Sequence, residues 1–337
     1  MTSRERVYAA LNFAGPDRLP RDLWGFRQVE PFRPADLALV RTRFPVDFAR
    51  PPSVLGPSRR ASGGAGEPGS YVDDWGSMWT NAQRGVAGEV TRPILSDWGA
   101  LGAFEPPKEM LEHPAIEQVN AFCAASNSFC LGEVGPGPFE RLQFPRGTQN
   151  LYLDLGTEID RVRGLLARVH AFYRRHYELW AQTDVDGVAM GDDWGSQTST
   201  LVSPELWRRV FRPLYEEYFA LVHRAGKKVF FHSDGYIRPI IPDLTELGVD
   251  ALNSQLFCMN IEELGRSFQG RVTFWGEIDR QRVLPFGTEA EVRAAVRHVK
   301  RALSDPRGGL IAQVCWTIND PVENILAAFE EWDAPMA

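Results

Sequence analysis

Three segments in the last third of the chain run from apolar residues into a side chain able to ligate a metal. They are Lys227–Asp234 (KKVFFHSD), Arg271–Glu277 (RVTFWGE) and Gly309–Cys315 (GLIAQVC). Together they supply His232, Asp234, Glu277 and Cys315. One imidazole, two carboxylates and one thiolate make a tetrahedral zinc set if the fold brings them together. His232 and Asp234 are separated by one residue, so an extended backbone puts both on the same side of a strand.

Each of the four also has a plainer reading. His232 could bond a backbone carbonyl within a core. Asp234, before Gly235, could cap a helix beginning near Ile237. Glu277 could pair with Arg280 or Arg238, and Cys315 is a small apolar residue as readily as a ligand. Shared placement is what favours the metal, so the elements carrying these residues decide the matter.

From about residue 129 onward, strand-like and helix-like segments alternate, the pattern of βα units on a parallel sheet. Six apolar strands are expected: Phe129–Val134, Asp186–Met190, Lys228–His232, Ala251–Ser254, Val272–Trp275 and Leu310–Val314. Leu19–Leu23 and Val46–Ala49 bring the total to the eight that close a barrel. The helices between them carry clear start signals. Ser203–Pro204 opens one running to Ala225, with Gly226 as its stop. Thr288 with Glu291 and Thr2 with Glu5 have capping-box spacing, and Asp320–Pro321 with Glu323 opens the last helix. Glu158–Gln182 has apolar residues at helical spacing. Pro51–Ser70 is too rich in Gly, Pro and Ser for a regular element and reads as a surface loop, a possible lid. The expected architecture is α/β, a (β/α)8 TIM barrel in one domain over residues 1–337, with an N-terminal helical extension.

In such a barrel every strand ends on one face, where sites are built. Further polar residues fall there. Glu133 ends one strand, as a catalytic group or half of a buried ion pair supporting the mouth. Asp192 and Asp193 follow another, as a general acid or base, or as a cap of the next turn. Asn253 and Gln255 end a fourth strand, and Asp279 follows Glu277. Trp24, Trp194 and Trp275, with Gln255, are candidate substrate contacts, although tryptophans also fill cores.

Composition narrows the function. The chain is 44% hydrophobic and 24% charged with net charge −7, which disfavours a nucleic-acid backbone as partner. No apolar run is long enough to span a bilayer, and the N-terminus MTSRERVYAALNF lacks an apolar signal core, so a cytoplasmic location is expected. Four cysteines, Cys123, Cys130, Cys258 and Cys315, are expected as free thiols. There is no P-loop, G-x-S-x-G elbow, C-x-x-C pair or H-E-x-x-H. Gly64, Gly66 and Gly69 match dinucleotide-loop spacing, but no strand precedes them.

The stretches MTSRERVYAALNFAGPDRLP, SPELWRRVFRPLYEEYFALVHRAGKKVFFHSDGYIRPIIPDLTELGVDALN and FWGEIDRQRVLPFGT resemble the uroporphyrinogen decarboxylase-like superfamily. The resemblance covers essentially the whole chain, is strongest from about residue 184, and implies a (β/α)8 barrel. True decarboxylases of that superfamily carry an arginine-rich segment near the N-terminus that grips porphyrinogen carboxylates. Here the region reads PRDLWGFRQVEPF, so porphyrinogen decarboxylation is not expected. Another branch contains cobalamin-dependent methyltransferases, and those methylating coenzyme M hold zinc with a His-x-Cys pair and a distant Cys. His232 and Cys315 match that pattern, and Asp234 stands where it has Cys.

A carboxylate in place of a thiolate makes the site harder and better suited to oxygen. The resemblance, with that departure, implies a zinc-dependent methyltransferase of O-demethylase type. It would move methyl from a small methoxy substrate to the Co(I) corrinoid of a separate protein, since no DxHxxG-type cobalamin segment is present. The shell would be His232, Asp234, Glu277 and Cys315, with Glu277 leaving when substrate binds. Asp192 or Asp193 would orient substrate or protonate the leaving alkoxide. Three alternatives stand beside this one: a methylcorrinoid:thiol methyltransferase, a metal-free decarboxylase using Asp192, and a non-catalytic corrinoid- or ligand-binding barrel. Barrels of this family often pair, so a homodimer is also expected.

Overall fold

The computed structural model describes residues 1–25, 28–86 and 88–335. Its strands are β1 (Arg21–Gly25), β2 (Phe48–Ala49), β3 (Gly69–Val72), β4 (Met78–Asn81), β5 (Glu89–Arg92) and β6 (Phe129–Pro136). They continue as β7 (Gly187–Gly191), β8 (Lys228–Ser233), β9 (Ala251–Ser254), β10 (Thr273–Trp275) and β11 (Leu310–Trp316). Eight of them form one parallel sheet in the order β1-β11-β10-β9-β8-β7-β6-β2. With helices on its outer side, this is the expected (β/α)8 barrel, and all eight expected strands are present within a few residues of their ends.

The sheet is closed except between β1 and β2, and Asp47 bridges that seam. Its N–H donates to the Arg21 carbonyl at 2.8 Å, and its carboxylate accepts the Arg21 N–H at 2.7 Å. The same carboxylate, wholly buried, holds Arg6 at 2.6 Å and Arg18 at 2.8 Å.

Aromatic rings fill the barrel interior. Phe129 and Phe230 lie 5.6 Å apart, Phe230 and Trp275 5.0 Å, and Phe48 and Trp275 6.1 Å. The helix Ser3–Leu11, with the expected Thr2–Glu5 capping box, seals the bottom of this core with Val7 and Leu11. Arg4 fixes the helix there by a 3.0 Å bond to Asp186, beside the start of β7.

Several local expectations change. The helix expected over 204–225 is two, Pro204–Val210 and Arg212–Arg224, with Pro213 in the first turn of the second. Ser203 does cap the first, accepting from the Leu206 N–H at 3.1 Å. Thr288–Glu291 is a capping box. Asp320 does not cap the last helix; its carboxylate accepts the Thr317 N–H at 2.6 Å, and Pro321 occupies the cap position. Asp234 caps no helix either, since the next one is Ile241–Glu246.

The loop after β2 is anchored at its start. Val54 is fully buried, and the Gly56 N–H donates to the Met110 carbonyl at 2.8 Å. Its last residues enter a small antiparallel sheet, β3-β4-β5, which the sequence analysis did not anticipate. These strands are short and largely exposed, so they lack the apolar runs that marked the barrel strands. Trp79 secures the sheet against Phe144, with ring centres 4.7 Å apart. No helix among the described residues is long and apolar enough to cross a membrane.

Candidate active site at the barrel mouth

Parallel pairing of β7, β8 and β9 aligns Gly191 with His232 and His232 with Asn253. That register sets the orientation of His232. Its Nδ1 lies 2.6 Å from the Asn253 Oδ1, and the Asn253 amide nitrogen donates to the Trp275 carbonyl. The second bond assigns the Asn253 oxygen as acceptor, so Nδ1 carries the hydrogen and Nε2 presents its lone pair.

Two carboxylates face that nitrogen. Asp193 Oδ1 is 3.5 Å from it and Asp234 Oδ1 is 3.4 Å. Asp193 is itself held by the Asp234 N–H at 2.8 Å. The ligand atoms of Asp193, His232 and Asp234 all lie within 4.8 Å of one another. Asp234 Oδ1 is buried without a hydrogen-bond partner. A tetrahedral ion with ligands about 2.1 Å away has ligand atoms roughly 3.4 Å apart, the separation seen around His232. The donor set therefore fits a divalent cation.

Glu277 and Cys315 lie on the other side of Arg280. The Arg280 guanidinium bonds the second oxygen of Asp234 and lies 3.7 Å from Glu277 Oε1 and 3.9 Å from Cys315 Sγ. Three of the four expected ligands thus converge on one arginine, and Asp234 is shared between it and His232. Glu277, 2% exposed, is pushed up to about 8 by burial, which outweighs Arg280 beside it. Burial likewise pushes the Cys315 thiol up to about 12.

Asp193 and His232 of the trio line a cavity of about 830 Å³ together with Trp24, Glu133, Glu140 and Trp275. Trp24 stands edge-on to His232 at 5.3 Å and to Trp275 at 4.8 Å. Both indole N–H groups donate to Asp22, at 2.9 and 3.1 Å, which locks the aromatic wall. Glu133 is mostly exposed and pairs with Arg50 at 2.8 Å, and Arg50 also reaches Asp22 at 3.0 Å. Glu133 thus forms an ion pair at the mouth, with Arg50 as the partner, but an exposed one rather than the buried pair expected.

Three expected site residues lie elsewhere. Asp192 is fully buried, and its carboxylate accepts from Tyr215 OH at 2.5 Å and from the N–H groups of Phe139 and Glu140 at 3.0 and 2.9 Å. It thereby holds the start of helix Pro138–Arg146 and is a wall residue, spent on structure. Burial raises it to about 7 against those three bonds. Trp194 is wholly buried, stacked on Phe139 at 4.2 Å and bonded to Tyr215, so it is core. Gln255 accepts the Gly235 N–H at 3.1 Å and lines a separate chamber of about 250 Å³ beside Glu277 and Arg280.

The residue that sequence reasoning underused is Glu140. It lines the main cavity, and burial, then the charges of Asp193 and Asp192, push its carboxyl up to about 9. Burial also raises Asp193, held back by His232. A protonated carboxyl therefore sits beside an ionisable one in the same cavity, a division of labour suited to acid catalysis. Arg50 and Asp22 were also missed; Arg50 lies just past the end of β2, where the barrel rule would have placed it, while Asp22 lies early in β1.

Comparison with known proteins agrees with this fold. The model of the family described as uroporphyrinogen decarboxylase (URO-D) matches residues 110–333, well over half the chain. A methyltransferase from Methanosarcina mazei superposes with a TM-score of 0.70, covering 99% of this chain and 98% of that one at 16% identity. A glycosylated endo-β-1,4-xylanase from Gloeophyllum trabeum aligns over 99% of both chains at 10% identity, with a TM-score of 0.46. No curated protein matches the sequence at a significant level. At 16% identity the likeness to the methyltransferase speaks for the barrel alone, while the family match extends over β6 to β11 and every residue of the His232 cluster. The chain belongs to the uroporphyrinogen decarboxylase family.

Proposed function

We propose that this chain is a zinc-dependent methyltransferase that moves the methyl group of a small methoxy compound to the Co(I) corrinoid of a separate protein. The observation that carries the reading is the Asp193–His232–Asp234 trio, a hard nitrogen and oxygen set beside an acidic carboxyl in an aromatic cavity. Such a set prefers an oxygen ligand to a thiol, which favours a methyl donor of the ether type over a thiol acceptor. Likeness in fold to the Methanosarcina mazei methyltransferase is consistent with this chemistry.

His232 and Asp234 would hold the zinc, with Asp193 as third ligand. Glu277 and Cys315 would join them only if Arg280 left Asp234. Zinc, when bound, supplies Lewis acidity toward the ether oxygen. Asn253 keeps the His232 Nε2 lone pair turned inward. Trp24, backed by the buried Trp275, offers its ring to the organic part of the substrate and displaces water. The partner's reduced corrinoid would supply the electron pair that accepts the methyl, and the oxygen would keep the pair of the broken O–CH3 bond. Glu140, protonated at neutral pH, gives that oxygen its proton.

The test is metal analysis joined to a spectroscopic assay. Purified protein should hold about one zinc per chain. His232→Ala and Asp193→Asn should lose it while staying folded. Wild type mixed with a reduced corrinoid protein and a methoxyarene should generate the methylcobalt spectrum. Protein that refuses zinc at micromolar concentration would end this reading.

A further inference from the structure

A second chamber of about 340 Å³ adjoins the main cavity, and Arg50, Glu133, Gly135 and Pro136 line both. The Arg50–Glu133 pair stands between them. On its far side the walls include Trp75, Phe172, Tyr173, His176 and Trp180, most of them from the long helix Ile159–Ala181. Trp75 meets Phe172 edge-on at 5.0 Å, and Arg141, which lines the chamber with Asp74, stands over the Trp75 ring at 4.8 Å. Ser53 and Leu55, at the anchored start of the loop after β2, line it as well.

Two side chains in this wall lack partners. His176 Nε2 and Trp180 Nε1 are buried without a hydrogen bond, on residues only 3% and 1% exposed. A helix that needs only packing at these positions could carry Phe or Leu, since an unpaired buried N–H costs about 1–3 kcal/mol. Burial also drives His176 down to about 3, so it stays neutral and offers an anion no charge. The chamber thus presents aromatic faces and neutral polar groups; of the charged residues that also line it, Arg141 faces Asp73 at 3.9 Å, burial raises Asp74 toward its neutral form, and Arg50 pairs with Glu133, whose side chain is mostly exposed.

We propose that this chamber is a subsite for an uncharged aryl group bearing a hydrogen-bond acceptor, the distal ring of an extended aromatic substrate whose reacting end lies beside His232. The assignment rests on the methoxy-substrate reading for the reacting end only. An acceptor on the distal ring takes the Trp180 N–H, and the ring lies among Trp75, Phe172 and Tyr173. Opening the Arg50–Glu133 pair joins the two chambers, while Arg50 keeps its bond to Asp22.

Binding is measured by titration calorimetry of the full chain with phenol and with 4-phenylphenol, which has a second ring. The two-ring compound should bind at least about tenfold more tightly, because the added ring leaves water. Ser53→Trp, a change at an exposed loop position facing the chamber, should erase that preference and spare phenol. Trp180→Phe keeps an aromatic ring, though a smaller one, and removes the donor. It should weaken 4,4′-dihydroxybiphenyl about fivefold, the worth of one neutral hydrogen bond, and leave biphenyl-4-ol lacking the distal hydroxyl unchanged. Equal binding of the one- and two-ring compounds, or a preference that survives Ser53→Trp, would overturn the subsite. The readout is binding without turnover. A two-ring preference in a protein that fails the separate zinc and methoxyarene assays would therefore refute the proposed function and leave the subsite standing.

Discussion

Replacing Glu140 with Gln separates the charge of this carboxyl from its size. Burial near Asp193 and Asp192 moves it from an ordinary 4.5 to about 9. Below the unfolded value both states are protonated. As pH rises through that value the unfolded chain releases the proton and the folded chain keeps it, so stability falls with rising pH until about 9. One proton is worth about 1.4 kcal/mol per pH unit, so from about pH 6 to about pH 8 the wild type should lose at most about 3 kcal/mol relative to Glu140→Gln. Asp192 and Asp193 share the proton burden, which makes that figure a ceiling. Urea unfolding of both proteins across this range gives the difference directly. In turnover, the wild type should lose activity toward alkaline pH as Glu140 gives up its proton, because the acid form does the work. The Gln variant should lack that limb and run about 10²- to 10⁴-fold slower. A stability difference that is flat with pH, or an unchanged alkaline limb in the variant, would refute the assignment of Glu140 as the proton donor.

Three further outcomes follow from the geometry. Asp47→Ala should destabilise the fold by about 3–5 kcal/mol in denaturant unfolding, because it strands Arg6 and Arg18 and opens the β1–β2 seam. Asn253→Ala should leave the protein folded but lower zinc affinity about 10- to 100-fold in a chelator competition, since His232 loses its orienting bond. Arg280→Gln should free Cys315, so that the cobalt-loaded variant gains a thiolate-to-cobalt absorption weak or missing in wild type; identical spectra would keep Cys315 out of the shell.

Much of the fold was legible because barrel strands advertise themselves. Each is a short apolar run between capped helices, and topology alone then sends His232, Asp234, Glu277 and Cys315 to one face. The seam at Asp47 and the sheet β3-β4-β5 left no such trace, one being a single polar residue and the other a set of half-exposed strands. Asp192 and Asp193 are neighbours of identical type, yet one is consumed by Tyr215 and a helix start while the other faces His232. Adjacent residues leaving a strand point in different directions, and only the packed structure says which direction meets the cavity.

The metal-ligand types were therefore set by the sequence, as was their gathering at the barrel mouth. Which of them face one another was decided by tertiary structure. Arg280, one turn beyond Glu277, folds back between the carboxylates and the thiol, and Asp193 takes a place beside His232 that the spacing of residues did not reveal. Strand order and hydrophobic period are local properties, readable along the chain. The reach of a long guanidinium and the register of three strands are not local, and they determine the charge that each carboxylate meets.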